Sequence, residues 1–243
     1  MKLLKMIPLL VILLLLEVVS VGAAEKKWSD EGELSSVNTG GNTNVSTFAA
    51  KNIVKYKFSE KVEGNWKVSA LNSKTEGIKT AERYASELRG DHLFSEHIYA
   101  GLSVGWLKDK FAGIDARYYV GPVAGYRVLH GPKHFLKTEV GLDYVSEDYT
   151  NNTSSNFLRG RAFGAYEFHL TDLNKFTQSL EYLYDFDNAT NYNINTVSAM
   201  VTVLSQNFSL KTSYEVKFDN DPIGARLNKK TDTMLAVSLL VNF

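Results

Sequence analysis

Ile98-Tyr99-Ala100-Gly101-Leu102-Ser103-Val104-Gly105-Trp106 alternates strictly between two kinds of side chain. Successive residues of an extended chain point to opposite sides, so Ile98, Ala100, Leu102, Val104 and Trp106 form one apolar face, while Tyr99, Gly101, Ser103 and Gly105 form the other. The same period of two runs through Leu136, Thr138, Val140, Leu142 and Tyr144 against Lys137, Glu139, Gly141 and Asp143. A third case sets Phe208, Leu210, Thr212, Tyr214, Val216 and Phe218 against Lys211, Ser213, Glu215 and Lys217. Each reads as a strand with one apolar and one polar face.

Outward from these, twelve such segments are expected, at 28–38, 43–58, 62–73, 80–93, 97–107, 117–129, 134–146, 155–170, 175–185, 192–204, 208–218 and 230–243. Short connectors, such as Ser59-Glu60-Lys61 and Phe94-Ser95-Glu96, alternate with mostly longer polar ones, such as Lys108 to Ala116 and Asp219 to Lys229. Thr39-Gly40-Gly41-Asn42 is the exception among the long set, because it is tight. An even strand count, with short turns on one rim and long loops on the other, is the connectivity of a bacterial outer-membrane barrel whose two ends are periplasmic. The pattern predicts an all-β fold: a transmembrane antiparallel up-and-down β-barrel of twelve strands spanning residues 25–243.

The charges sharpen this reading, because a lipid-facing Arg or Lys near the bilayer midplane costs about 2–4 kcal/mol. Lys51, Lys55, Lys67, Arg83, Arg89, Arg117, Arg127, Lys137, Arg159, Arg161, Lys211 and Lys217 all fall on polar faces, with Glu63, Glu87, Glu139, Asp143, Glu167, Glu181 and Glu215. Asp30 and Glu82 are the exceptions, each near a strand end. A register error of one residue would turn a whole set of charges into lipid. Outward aromatics fall into two bands, Phe58, Trp66, Tyr126, Tyr166 and Phe208 toward the short turns and Phe48, Trp106, Tyr118, Tyr144 and Phe218 toward the long loops. Two such girdles mark the two membrane interfaces.

The 243 residues carry 27 Lys and Arg, 27 Asp and Glu and no Cys, and 44% of them are hydrophobic. Zero net charge gives no electrostatic footprint for nucleic acid. The lack of Cys removes disulfides, thiolate metal sites and cysteine nucleophiles. At the start, Lys2 and Lys5 precede the apolar run Leu9 to Leu16, and Val21-Gly22-Ala23-Ala24 supplies small residues for cleavage. Residues 1–24 therefore read as an export signal, since Glu17 interrupts the run well short of the about 20 apolar residues of a membrane span.

The last segment, Thr233 to Phe243, is apolar at alternate positions and ends in Phe. It resembles the terminal strand through which outer-membrane proteins engage the bacterial barrel-assembly machinery. Further likeness is carried by Trp28, Leu34 and Thr39-Gly40-Gly41-Asn42-Thr43; by Asp109-Lys110-Phe111, Arg117 and Gly121-Pro122-Val123-Ala124-Gly125-Tyr126; by Glu139-Val140-Gly141 with Tyr144; and by Tyr214, Asp221-Pro222 and Thr231-Asp232-Thr233. In these stretches the chain resembles the bacterial salt-induced outer membrane protein family, a β-barrel domain without an established function. The resemblance implies an outer-membrane location and a link to osmotic or salt stress. It supplies no reaction and no catalytic residues.

Searching for chemistry gives little. His92, His97, His130, His134 and His169 lie beside short turns without metal-ligand spacing, so no metal and no cofactor are expected. Ser86 and Ser198 face outward with no His at their depth, as a lipid-modifying enzyme would need. Pro122 removes one ladder donor from its strand and is expected to mark a bulge. Function is left to the lumen, where Arg83, Glu87, Arg117, Glu139, Asp143, Arg159, Arg161 and Glu181 form a candidate charge ladder. Balanced signs suggest a self-neutralising interior with little ion selectivity. The expected function is a non-enzymatic, narrow and weakly selective pore or an envelope protein of osmotic stress, with outer-membrane lipids and the assembly machinery as partners. The alternatives are an outer-membrane lipid-modifying enzyme and a surface receptor or adhesin that uses the long loops.

Overall fold

The computed structural model describes residues 27–39, 44–222 and 230–243. The expected signal segment, most of the Thr39–Asn42 turn and part of the loop after Asp219 lie outside the described residues. Within them are β1 (Trp28–Thr39), β2 (Val45–Lys57), β3 (Val62–Thr75), β4 (Ile78–Leu93), β5 (Ile98–Asp109) and β6 (Ile114–His130). The sequence continues through β7 (His134–Tyr149), β8 (Ser154–His169), β9 (Asn174–Asp185), β10 (Tyr192–Val203), β11 (Phe208–Asp219) and β12 (Thr231–Asn242). Each strand pairs antiparallel with its neighbours in sequence, and β12 pairs with β1 to close the barrel. All the expected strands form, with their ends moved by a few residues.

Closure removes the exposed strand edges that an open sheet would present to lipid, where nothing could satisfy their backbone groups. The ladders are not equally long. Between β2 and β3 the register runs from Val45↔Thr75 to Lys57↔Glu63, whereas the closing ladder runs only from Glu31↔Asn242 to Leu34↔Leu239. Ser35 Oγ donates to the Val237 carbonyl at 2.9 Å, and the Phe243 amide donates to the Asp30 carbonyl at 3.0 Å.

The short turns repeat one device. The amides of Phe58, Phe94 and Leu170 donate to the carbonyls of Val62, Ile98 and Asn174. Inside each turn a hydroxyl accepts from the backbone: Ser59 from Val62, Ser95 from Ile98 and Thr171 from Asn174, at 3.0–3.1 Å. Ser and Thr compete well for turn amides in this way.

The outer surface is apolar. Leu102 (57% exposed), Val140 (63%) and Leu235 (69%) point away from the lumen, as their parity requires. Polar groups on that surface satisfy one another. Trp66 Nε1 donates to Ser86 Oγ at 3.0 Å, Asn72 Nδ2 to the Tyr84 hydroxyl at 3.1 Å, and Gln178 Nε2 to Thr196 Oγ1 at 2.6 Å. The two outward carboxylates singled out in the sequence are also engaged, Asp30 by Asn52 and Glu82 by Lys79.

Pro122 departs from expectation. The register on its strand shifts near the ends, at Ile114/Ala116 and Arg127/Leu129, and not at the proline. The β6–β7 ladder passes from Val120↔Tyr144 to Val123↔Gly141 with register unchanged. Proline deletes a donor without demanding an extra residue. Beside it, a Cβ on Gly121 would sit 2.1 Å from the Leu142 carbonyl oxygen, so the small residue lets the two strands close up there.

Candidate functional site

The inner face of β4–β9 is filled by charged and aromatic side chains that bond across strands. Glu139 on β7 is the hub. It is 3% exposed and accepts from Arg89 Nη1 on β4 at 2.9 Å, Arg161 Nη1 on β8 at 3.1 Å, Lys137 Nζ at 3.0 Å and the Tyr99 hydroxyl on β5 at 2.7 Å. Arg89 Nε also donates to Asp91 at 2.9 Å, and Arg161 Nε to Glu181 on β9 at 2.7 Å. Asn195 on β10 completes Glu181 with a bond of 3.1 Å. Five strands are thus tied to one carboxylate or its direct partner.

Further along the lumen, Arg159 donates to Asp143 at 2.7 Å from the registered position on the adjacent strand. Arg117 bonds Glu147, a carboxylate only 2% exposed. Glu87 accepts from the Tyr119 hydroxyl at 2.6 Å. Every residue of the candidate ladder therefore lies on the inner face, but as separate groups. Arg161, Glu139 and Glu181 come together; Arg159 joins Asp143; Arg117 and Glu87 find partners outside the set. Arg83 stands apart, with Nε 3.7 Å from Asp109 and no hydrogen-bond partner for that buried atom among the described residues.

Arg89, Tyr99, Tyr119 and Lys137 are participants beyond that set. Two of them have a signal in the sequence that only register reveals. Tyr99 is registered opposite Gly125, and Tyr119 opposite Gly105. A Cβ on Gly125 would lie 2.1 Å from the Tyr99 ring, and one on Gly105 would lie 2.1 Å from the Tyr119 ring. Each glycine leaves the space in which a tyrosine lies along the wall, with its hydroxyl aimed at a carboxylate. Arg159 sits 5.0 Å from the centre of the Tyr119 ring and Arg161 4.9 Å from that of Phe163, so the cations also stack.

The rest of the lumen is open. A cavity of about 630 Å³ is lined by β1–β4, β7–β12 and their inward side chains. Its charged lining comprises Lys51, Lys67, Arg83, Lys137, Lys211 and Lys217 against Glu33, Glu167 and Glu215. A smaller cavity of about 210 Å³ has Lys67, Ser69 and Arg83 in common with it, so the two adjoin along the β3–β4 wall. The carboxylates of Asp91, Glu139 and Glu147 are absorbed into the wall instead, 6%, 3% and 2% exposed.

Residues 32–243 match the family described as "Protein of unknown function, DUF481". The chain belongs to that family. A relative is the "Uncharacterized protein YdiY" of Escherichia coli (strain K12), 28% identical over 201 residues that cover 82% of this chain and 78% of that protein. Among solved structures, the fold is similar to the COG4313 outer membrane channel from Pseudomonas putida F1 (TM-score 0.56, 10% identity, 93% of this chain and 97% of that one). It is also similar to the translocator domain of the autotransporter NalP from Neisseria meningitidis (TM-score 0.52, 11% identity, 99% and 94%). The NanC porin matches at a TM-score of 0.50 with 9% identity, over 88% and 97% of the two chains. The protein therefore has the fold of outer-membrane barrels.

For this family member the histidines and outward serines have ordinary partners. His97 Nδ1 lies 2.9 Å from the Arg127 carbonyl oxygen, His134 Nδ1 lies 2.8 Å from the Tyr166 hydroxyl, and His169 Nε2 lies 2.6 Å from Glu167. His134 also stacks on Phe168 with ring centroids 4.7 Å apart. No group of three or more His, Cys, Asp or Glu suited to a metal occurs among the described residues. Ser86 accepts from Trp66, and Ser198 bonds Gln178.

Proposed function

We propose that the protein is a non-enzymatic outer-membrane pore for small polar solutes, oriented with the short turns and both chain ends in the periplasm and the long loops outside. The observation that carries this reading is the cavity of about 630 Å³ inside a closed barrel, walled by charged side chains rather than packed shut. A lumen of this kind sits between the filled interior of about eight strands and the wide channel of about sixteen. The likeness in fold to an outer membrane channel and a porin supports it. So do the occupied hydroxyls of Ser86 and Ser198, neither of which bonds an activating histidine among the described residues.

In the same reading, residues 1–24 are removed on export, and β12 with Phe243 is the segment that the barrel-assembly machinery engages. The family resemblance adds osmotic stress as the setting, which growth of a deletion strain across a range of salt concentrations tests. The central test is single-channel recording in planar bilayers, with folding checked by the mobility of unboiled and boiled protein in detergent gels. Discrete conductance steps are expected from the folded species. Folded protein that passes no current, together with altered lipid species in a deletion strain, would favour the lipid-modifying alternative.

A further inference from the structure

Zero net charge conceals an uneven placement. Along β2–β4, the inward cations Lys51, Lys67 and Arg83 line the larger cavity. Among the described residues, Lys51 and Lys67 have no ion pair, and Arg83 has only the loose contact of 3.7 Å to Asp109. The carboxylates that register would offer them are engaged elsewhere. Glu33, opposite Lys51, accepts from Lys211 at 2.8 Å. Glu87, opposite Lys67, accepts from the neutral Tyr119 hydroxyl at 2.6 Å and keeps its charge, but it lines the smaller cavity and not the larger. Glu215, the carboxylate across the cavity, lies 3.1 Å from Lys217.

The geometry points to a lumen selective for anions, with the β2–β4 wall of the larger cavity as a binding station for small carboxylate- or phosphate-bearing solutes. This rests on the pore reading and names the solute class for the same site. The physical reason is that the cavity's own carboxylates, Glu33, Glu167 and Glu215, are each held by a lysine and contribute little field at a distance, whereas a cation with no carboxylate at close ion-pair distance acts on whatever enters the cavity. The low-dielectric barrel wall focuses that field into the water path. Lys67 and Arg83 border both cavities, so the cationic wall continues to the place where the two adjoin. A strip of cations along a solute path sets selectivity through its local field. The acids that balance the count, Glu139 and Glu147 among them, are buried in ion pairs and present little to a passing solute.

The test is the reversal potential of the folded barrel in planar bilayers across a potassium chloride gradient, combined with citrate titration by calorimetry in detergent. The expected result is preference for chloride over potassium by about threefold or more, strongest at low salt where screening is weakest. Citrate should bind the wild-type barrel and reduce its conductance. A Lys51→Gln/Lys67→Gln double variant should lose the preference and the citrate binding while keeping its heat-modifiable gel mobility, and Lys51→Gln alone serves if the pair does not fold. Current with no preference, or with potassium preferred, overturns the anion inference and leaves the pore standing. No current from folded protein overturns the pore reading, and citrate binding that depends on Lys51 and Lys67 then still supports the anion site. Absence of both current and citrate binding overturns both.

Discussion

On the β4–β9 wall Glu139 takes bonds from Arg89, Arg161, Lys137 and Tyr99, whereas on the β2–β3 wall Lys51 and Lys67 meet no carboxylate at ion-pair distance among the described residues. Both walls obey the same alternation and both put charge inside. The first uses it as filling: cation, carboxylate and tyrosine cross-link neighbouring strands and leave only the cavity of about 210 Å³. The second leaves it facing open volume, beside the shortest ladder of the barrel. Inward charge alone therefore says nothing about permeation. What matters is whether each charge has a partner within the wall, because a paired charge is structure and an unpaired one is field.

Breaking the filled wall should have the largest effect. Glu139→Ala leaves several buried donors without an acceptor, and loss of one member of a buried ion cluster costs about 3–5 kcal/mol. Urea titration of the barrel in lipid vesicles, followed by tryptophan fluorescence, should show a matching loss of stability or a failure to fold. An unchanged midpoint would mean that water reaches Glu139 and that this wall is as open as the other.

Next in size is Leu102→Arg, which puts a cation on the lipid face at a cost of about 2–4 kcal/mol and should reduce assembly. The same charge one position along, in Ser103→Arg, faces the lumen and should assemble better. Equal yields in a detergent-gel folding assay would show that the two faces of β5 are reversed.

Lys67→Gln, on the open wall, should alter stability by no more than about 0.5 kcal/mol, because it breaks no ion pair. Its effect belongs to reversal potential. A large loss of stability would place Lys67 in the structural class with Arg89 and collapse the contrast between the walls.

The smallest effect is expected at the β3–β4 turn, outside both walls. Glu76 accepts from the Asn44 backbone amide at 2.5 Å, and that bond holds its carboxyl below the usual carboxylate value. A depressed value stabilises the folded turn above the ordinary carboxylate range, and the contribution disappears as pH falls through the lowered value. The protection of the Asn44 amide, its exchange measured against the intrinsic rate at the same pH, should therefore fall in acid, and Glu76→Gln should flatten that dependence.

The strands were legible because lipid imposes a rule that a single chain records locally. Leu102, Val140 and Leu235 must face out and Glu139 must not, and the spacing of two shows this without any knowledge of neighbours. The inner-face membership of Arg159 and Glu181 follows from the same parity. Their partners do not. Arg161 reaches Glu139 and Glu181 only because β7, β8 and β9 lie side by side in one particular register, and Tyr99 becomes a donor to Glu139 only because Gly125 stands opposite it. Pro122 makes the same point from the backbone: the sequence signals a missing donor, and the unchanged register shows that no extra residue was inserted.

Period-two alternation against lipid is a local constraint, so the residues alone were enough to specify the twelve strands, their two faces and the inward side of most of the charge. Tertiary structure alone decided which charges neutralise each other. Pairing is a distance condition between residues far apart in the chain, set by register and barrel closure. Those two turned an evenly balanced set of side chains into a packed wall on one side and a cation-faced cavity on the other.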